Sequence, residues 1–201
     1  MKLDRELKKL FPNAKIELNY ETPWQLLVAV QLSAQCTDKM VNKITAELFK
    51  KYKVPADYVR AGKSEKGVME FEQMIKSCGY YHAKAKNILA AATLVQKSKK
   101  DGGFDGEVPK TIEELLRLPG VARKTATVVL KEAFDVVAGI TVDTHVIRFV
   151  QRYDLSDHKD PVRIEKDLML LVPKKEWGSI THRTINYGRY LAPARPYDTT
   201  R

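Results

Sequence analysis

Cysteine is scarce in this sequence, with two residues, Cys36 and Cys78, among 201. Their separation matches no paired-cysteine motif, which argues against a disulfide framework. Two thiolates also cannot provide the four ligands of a typical iron–sulfur cluster or of a four-cysteine zinc site. We therefore expect both cysteines to be small apolar residues of the core.

Long apolar runs and metal-binding histidine spacings are also missing. No apolar run approaches the ~18–20 residues that span a bilayer, and the first ten residues, MKLDRELKKL, lack the apolar centre of a signal peptide. We expect a cytoplasmic protein that does not enter the membrane. The four histidines show no His-x-x-x-His spacing, so we assign no metal; they are His82, His145, His158 and His182.

Strand patterns are rare, and the dominant period is helical. The best β-branched stretch, 136–142, is interrupted by Gly139, so we predict an extended connector there. Hydroxyl or carboxylate caps precede apolar residues at helical spacing, twice with proline next in the chain; they are Thr22, Thr37 and Asp160. The charged, glycine-rich segment 97–106 indicates a loop. The sequence therefore predicts an all-α fold.

Positive charge is in excess, with 35 Lys and Arg against 25 Asp and Glu and a net charge of +10. A surplus of this size favours a polyanionic partner, first nucleic acid and second an anionic membrane surface. The alternative is a basic surface with no such partner.

The segment from Thr111 to Phe134 predicts two helices joined by a tight turn. Thr111 and Glu114 fit a capping box, and the break at 118–121 contains Gly120, whose backbone a phosphate can approach closely. The amides that open the second helix form an anion site. Arg123 and Lys124 lie in that first turn, where a cation opposes the helix dipole by ~0.3–1 kcal/mol. The alternative is an ordinary loop with two solvated cations.

Lys124 and Asp143 together suggest covalent chemistry. A neutral lysine amine can attack a sugar carbon and form a Schiff base, and a carboxylate can take a proton and stabilise the developing cation. Desolvation, Arg123 and the helix terminus disfavour the charged amine, whereas a close Asp143 would stabilise it. Taken alone, Asp143 is better explained as the N-cap of the next helix, and Lys124 as a surface lysine.

Two segments, LPGVARKTATVVL at 118–130 and VDTHVIRF at 142–149, resemble endonuclease III, a family of the helix-hairpin-helix DNA glycosylases. Segments 17–43, 78–88 and 186–190 are also similar to it, so the resemblance covers nearly the whole chain from about residue 16.

The resemblance implies a two-lobed, all-α helix-hairpin-helix glycosylase fold with a DNA-binding cleft between the lobes. One lobe of six helices would span 17–136 and contain the hairpin, and the other would combine 1–16 with 137–201. It implies a bifunctional glycosylase of base excision repair, which removes oxidised pyrimidines and cleaves the abasic site by β-elimination through a lysine Schiff base. Lys124 would be the catalytic amine and Asp143 the catalytic carboxylate. The expected partner is double-stranded DNA with damaged pyrimidines or abasic sites, bound by a monomer at the nucleoid.

The resemblance also indicates which residues contact DNA. Gln35 would fill the gap left by the flipped base, and Tyr80 would be a second wedge, where the family usually has leucine. The alternatives are a solvated glutamine at a helix end and a tyrosine that packs on Tyr81. Ala122 stands where glycine is usual. The full expected set is Gln35, Tyr80, Leu118, Gly120, Ala122, Arg123, Thr125, His145, Arg148 and Arg189, although His145 also suits a structural role.

The largest departure from the family follows residue 190. The family places four cysteines there, whereas residues 191–201 contain none, so we expect no iron–sulfur cluster and no other cofactor. Arginines near this end are candidates for replacement phosphate contacts, with a frayed charged tail as the alternative; they are Arg183, Arg189, Arg195 and Arg201.

Two other functions remain compatible with these residues. One is a DNA-binding module of the same fold with lost or reduced catalysis. The other is a glycosylase for a different damaged or mispaired base, although enzymes that act on mispaired adenine usually lack the lysine that Lys124 provides.

Overall fold

The computed structural model describes residues 2–193, and within that range the regular structure is helical, without strands. This confirms the predicted all-α class. The α-helices are α1 (Lys2–Leu10), α2 (Pro23–Ser33), α3 (Asp38–Lys51), α4 (Pro55–Gly62), α5 (Glu65–Ile75), α6 (Tyr81–Gln96), α7 (Ile112–Leu115), α8 (Arg123–Phe134), α9 (Thr144–Arg152), α10 (Pro161–Leu171) and α11 (Trp177–Asn186). Single 3-10 turns lie at Lys76–Cys78, Lys99–Asp101 and Lys174–Glu176, and a π-helical turn, Tyr187–Leu191, continues α11. None of the helices in 2–193 is both long enough and apolar enough to cross a bilayer.

The chain divides into two compact units. One comprises residues 17–136 with helices α2 to α8, and the other combines residues 2–16 with the described residues from 137 onwards. The connector 137–143 has no regular structure, as its interrupted β-branched pattern predicts.

The unit 17–136 is built around α2, which is apolar on all sides and buried from Trp24 to Leu32. Thr22 caps it by accepting a hydrogen bond from the Gln25 amide at 3.2 Å, and Pro23 occupies the first turn, as predicted. Helices α3, α6 and α8 pack against α2. A helix without a polar face is stable only when neighbours cover it on every side, so α2 is the central helix of this unit.

An aromatic cluster joins α2 to the helices beside it. Tyr58 lies between Trp24, Tyr52 and Phe71, with ring centroids 5.2, 5.2 and 5.6 Å away. Tyr58 is on α4, a helix that the apolar pattern alone did not reveal. Its signal is Pro55 in the first turn and Asp57, whose carboxylate accepts from the Lys53 amide at 2.8 Å and the Val54 amide at 3.1 Å.

The second unit has its own core, in which α9 packs against α10 and α11, and α11 against α1. Apolar residues of all four helices and of the connector form it: Leu7, Ile140, Val142, Val146, Phe149, Val150, Ile164, Leu168, Val172 and Ile180. The core therefore fixes α9 and the end of the connector, where Asp143 lies.

Arg183 is buried in this second unit. The prediction that it is a replacement phosphate contact is therefore wrong. Its guanidinium donates to Glu176 Oε2 at 2.7 Å and to Asp4 Oδ1 at 3.3 Å, with 7% of the side chain exposed. Lys8 donates to the other oxygen of Glu176 at 3.0 Å. A buried guanidinium needs such partners, so this cluster holds α1 against α11. Arg195 and Arg201, two of the other candidates, lie outside the described residues.

The Glu176 carboxylate makes the stability of this unit depend on acidity. Hydrogen bonds from Arg183 and then Lys8 lower the pKa of Glu176, so its contribution is present above the unfolded pKa of about 4.3 and is lost as pH falls through the lower folded value. We expect Glu176→Gln to reduce the free energy of unfolding by about 3 kcal/mol at neutral pH. The loss should shrink as pH falls below about 4.3. Urea unfolding across this pH range measures it.

The control for this prediction is Glu47→Gln, because Glu47 pairs with Lys50 on an exposed surface. Exposed pairs of this kind contribute at most about 1 kcal/mol. An equal loss in both variants, or a loss that does not change with pH, would contradict the assignment.

The two cysteines differ in burial. Cys78 is buried, as predicted, whereas Cys36 is partly exposed because it follows the end of α2 in a loop. Both lie in the unit 17–136.

Candidate active site

The hairpin consists of α7, a tight turn and α8. Thr111 caps α7 by accepting from the Glu114 amide at 3.3 Å, and its hydroxyl donates to the Glu114 carboxylate at 3.0 Å. The Val121 amide then bonds the Leu118 carbonyl at 3.1 Å and closes the turn. Gly120 has a φ of +75°, and a Cβ there would lie 2.9 Å from Asn87 Cβ on α6. Two reasons therefore require glycine at this position: its backbone has positive φ, and α6 lies too close for a Cβ.

The N-terminus of α8 presents cations and no acidic residue in its first turn. Ala122 occupies the N-cap with extended backbone and makes no side-chain cap. Arg123 is partly exposed and Lys124 is exposed. The Thr127 hydroxyl lies 3.0 Å from the carbonyls of both residues and holds the turn. Because cations disfavour this end of a helix, the local sequence is poor for stability and suited to an anionic ligand.

Asp143 is the N-cap of α9, which confirms the capping role predicted for it. Its Oδ1 accepts from the His145 amide at 2.9 Å and from the Val146 amide at 3.0 Å. Both bonds use the same oxygen, and the side chain is partly exposed. These two bonds orient the carboxylate at the start of α9.

Arg148, one turn further along α9, is placed beside His145. Its Nη2 lies 3.3 Å from His145 Nδ1. Together with Arg152 and Tyr187 these side chains line an open cleft of about 470 Å³ in the second unit. The Tyr187 hydroxyl is hydrogen-bonded to Tyr153 at 2.7 Å, which fixes the π-helical turn against α9. The cleft is therefore basic and has a rigid wall.

Gly188 explains how His145 and Arg148 fit against the π-helical turn. A Cβ at this position would lie 2.5 Å from His145 Nδ1 and 3.4 Å from Arg148 Nη2. We expect Gly188→Ala to displace both side chains and to weaken binding of duplex DNA by about tenfold, since overpacking of this kind costs about 1–3 kcal/mol. Fluorescence anisotropy titration measures the affinity.

Gly62→Ala is the matched control, because a Cβ there meets only Leu89 Cβ at an ordinary 3.7 Å. Unchanged DNA affinity in Gly188→Ala would show that the positions of His145 and Arg148 do not matter for binding.

Gln35 and Tyr80, two of the predicted DNA contacts in the unit 17–136, are exposed and have left-handed backbone, as do Asp105 and Asp135 of the same unit. Gln35 has a φ of 55° and Tyr80 a φ of 48°. Residues other than glycine adopt this conformation at a cost of about 1 kcal/mol, and such strain concentrates at functional sites. Tyr80 is 72% exposed. Both side chains are therefore accessible to a ligand.

The remaining predicted contacts differ in accessibility. Ala122 is exposed, Thr125 and Arg189 are partly exposed, and Leu118 is buried at 2%. A contact between Leu118 and DNA would therefore have to use the backbone. Sequence reasoning did not identify Asn87 or Gly188 as contributors to the site. Gly188 lies in segment 186–190, whose resemblance to the family was a signal for it, whereas no pattern in the sequence indicated Asn87.

The cysteines do not fit the ligand set of the iron–sulfur cluster of the family. Residues 1–201 contain two cysteines, and within 2–193 no group of three or more histidine, cysteine or acidic side chains is placed to hold a metal ion. Burial, and then the nearby Cys36 thiol, raise the pKa of Cys78 to about 12. A metal-ligating cysteine needs the opposite shift, because the thiolate is the ligand.

The sequence of this chain matches, over residues 28–174, the model of a family described as HhH-GPD superfamily base excision DNA repair protein. The chain belongs to this superfamily. It is 50% identical to endonuclease III of Synechocystis sp. over 189 residues, which cover 94% of this chain and 82% of the relative.

Solved structures of superfamily members agree with this assignment. A non-covalent endonuclease III–DNA complex superposes with a TM-score of 0.87 at 43% identity, covering 96% of this chain and 86% of the other. A trapped endonuclease III–DNA covalent intermediate gives 0.86 at 44% identity, covering 96% and 85%. The predicted fold family and its base excision repair function are thus confirmed.

Proposed function

We propose that this chain is a bifunctional DNA glycosylase and abasic-site lyase that acts on oxidised pyrimidines in duplex DNA, with Lys124 as nucleophile and Asp143 as catalytic carboxylate. The observation that carries the proposal is an exposed lysine next to Arg123 at the N-terminus of α8, a helix whose own first turn contains no acidic residue. A phosphate at this helix terminus would turn an unfavourable pair of cations into a favourable one.

The hairpin binds the DNA backbone in this proposal. Gly120 leaves its backbone accessible, and the amides that open α8 point towards an anion, as at other helix N-termini. In the second unit, Arg148 and Arg189 supply the cationic surface, and His145 lies beside Arg148. Such contacts position the duplex without reading its sequence, so the lesion is selected when the base is flipped out of the stack, which costs a few kcal/mol.

The chemistry requires an amine and a carboxylate. The Lys124 nitrogen forms a bond to the anomeric carbon of the sugar, and the bond to the damaged base breaks, with its electron pair leaving on the base. Asp143 takes a proton and stabilises the positive charge that develops on the sugar. The amine then loses a proton and the C1′–O4′ bond breaks, with its electron pair and a proton going to O4′, which opens the sugar ring and gives the Schiff base. The Schiff base makes the C2′ proton acidic, and loss of that proton expels the 3′ phosphate by β-elimination.

This proposal includes no cofactor, because the cysteines of residues 1–201 do not form the family's ligand set. Every step uses side chains of this chain. The protein would act as a monomer on chromosomal DNA in the cytoplasm. The endonuclease III–DNA complexes that it resembles support the choice of DNA as partner.

The experiment is incubation with duplexes that each contain a single lesion, followed by borohydride. We expect release of thymine glycol, strand cleavage and a covalent protein–DNA product. Salt-dependent binding without base release would instead show a binding module. A strong preference for mispaired adenine would identify a glycosylase of different specificity.

A further inference from the structure

A buried lysine on α6, Lys84, connects the two loops that carry Gln35 and Tyr80. Its ammonium donates to the Leu32 carbonyl at 2.8 Å and to the Cys78 carbonyl at 2.7 Å. The residue is 8% exposed. Buried lysines are rare unless their donors are used, and here one side chain joins the end of α2 to the 3-10 turn that precedes α6.

Both acceptors are backbone groups that helix geometry leaves unsatisfied. Leu32 is in the last turn of α2, whose carbonyls have no intrahelical partners, and Cys78 ends the turn Lys76–Cys78. Burial lowers the pKa of Lys84. The amine keeps at least two N–H donors in either protonation state, so both carbonyls can be satisfied across the neutral pH range.

The same residue also fixes Tyr80 through its backbone. The Lys84 amide donates to the Tyr80 carbonyl at 3.1 Å, which is the first hydrogen bond of α6. Tyr80 follows Gly79, whose φ of 62° and ψ of 154° suit glycine alone. Lys84 therefore holds the chain on both sides of this strained pair.

The two loops also approach each other at their thiols. Cys36, which follows Gln35, is near enough to Cys78 to raise the pKa of that thiol. Tyr80 therefore lies two positions after Cys78, whose carbonyl Lys84 binds. Gln35 lies next to Cys36, which is near the Cys78 thiol. The strained conformations of Gln35 and Tyr80 persist only if surrounding contacts over-determine them.

We infer that Lys84 is a positioning residue that sets the spacing of Gln35 and Tyr80 for insertion into duplex DNA. The inference rests on the proposed function, because it needs a duplex to be opened around a lesion. Lys84 touches neither substrate nor reacting atoms; it acts through the two loops. It should therefore matter where the damaged nucleotide must be turned out of a duplex and not where it already lies in a single strand.

The test compares Lys84→Met with Lys86→Met, an exposed lysine on the same helix. Two activities are measured in single turnover: cleavage at an abasic site in duplex DNA and cleavage at the same site in a single strand. We expect Lys84→Met to slow the duplex reaction about tenfold or more, since a buried hydrogen bond to a charged group contributes that much. The single-strand reaction and both activities of Lys86→Met should stay within about twofold of wild type, as expected for surface changes.

Fluorescence of 2-aminopurine opposite the abasic site gives a second readout, because the unstacked base becomes bright. Lys84→Met should lower this signal at saturating protein. In a Gln35→Ala, Tyr80→Ala background, Lys84→Met should add little further loss, since residues that act as one unit are non-additive. Equal slowing on duplex and single strand, or full additivity, would overturn the inference.

Thermal melting of each variant separates loss of the fold from loss of positioning. If Lys84→Met does not fold, Lys84→Gln replaces it with the same expectations, because its amide nitrogen is one bond nearer the backbone than the lysine nitrogen and does not reach both carbonyls. Wild-type protein that cleaves neither substrate would refute the proposed function itself, which is a different outcome from an active wild type with uniformly slowed variants.

Discussion

Replacing Lys124 with alanine is expected to eliminate covalent trapping by borohydride and to lower base release from thymine glycol duplex by at least about a thousandfold, as loss of a nucleophile does elsewhere. The amine forms the bond to the sugar in the proposed reaction, and no other group replaces it. Melting temperature should not fall, because Lys124 is exposed and its charge is unfavourable at a helix N-terminus. Gel analysis of reduced reaction mixtures measures trapping.

Lys131→Ala is the matched control for this variant. Lys131 is a lysine of the same helix, in its last turn, and forms an ion pair with Asp135. Its removal should leave trapping unchanged. Full trapping by Lys124→Ala would remove Lys124 as the nucleophile, and equal loss in both variants would indicate that general positive charge on α8, not one amine, is required.

Substitution of Asp143 is expected to separate its two roles. Asp143→Asn keeps an oxygen that caps α9, since asparagine is as good an N-cap as aspartate, but removes the carboxylate. We expect an unchanged melting temperature and a base release slowed by about 10²–10⁴-fold, the contribution typical of general acid–base catalysis. Single-turnover release of thymine glycol measures the rate.

Asp143→Ala removes the cap as well as the carboxylate. It should be as slow as Asp143→Asn and also less stable by about 1 kcal/mol, because the amides of His145 and Val146 lose their acceptor. Undiminished release by Asp143→Asn would leave capping as the only role of this residue.

Local signals in the sequence predicted most of the scaffold. The caps at Thr22, Thr111 and Asp143 all accept amide hydrogen bonds at the predicted helix starts. Such signals are reliable because a cap and the amides that it satisfies are separated by two or three residues along the chain.

Features that depend on distant residues were not predicted. The close approach of Asn87 to Gly120 and the burial of Lys84 involve segments that are far apart in sequence. Arg183 is a further example. Its position among basic residues indicated a phosphate contact, but it is buried against Glu176 and against Asp4, which is 179 positions away. Charge patterns alone do not reveal such pairs.

Gln35 and Tyr80 were predicted from the family resemblance and not from a local signal in the sequence. The family resemblance indicated their role, while composition favoured a solvated glutamine and a tyrosine packed on its neighbour. The backbone adds an independent argument, because both residues occupy a conformation that costs free energy and both are exposed. Sequence patterns rarely report positive φ at residues other than glycine.

The central claim is that one amine, that of Lys124, becomes bonded to the sugar of the damaged nucleotide. The direct measurement is peptide mapping by mass spectrometry of the borohydride-reduced complex with a thymine glycol duplex. We predict a single modified peptide from α8, with the sugar remnant on Lys124. Modification of any other lysine or of the terminal amine, or base release without a covalent adduct, would contradict the account.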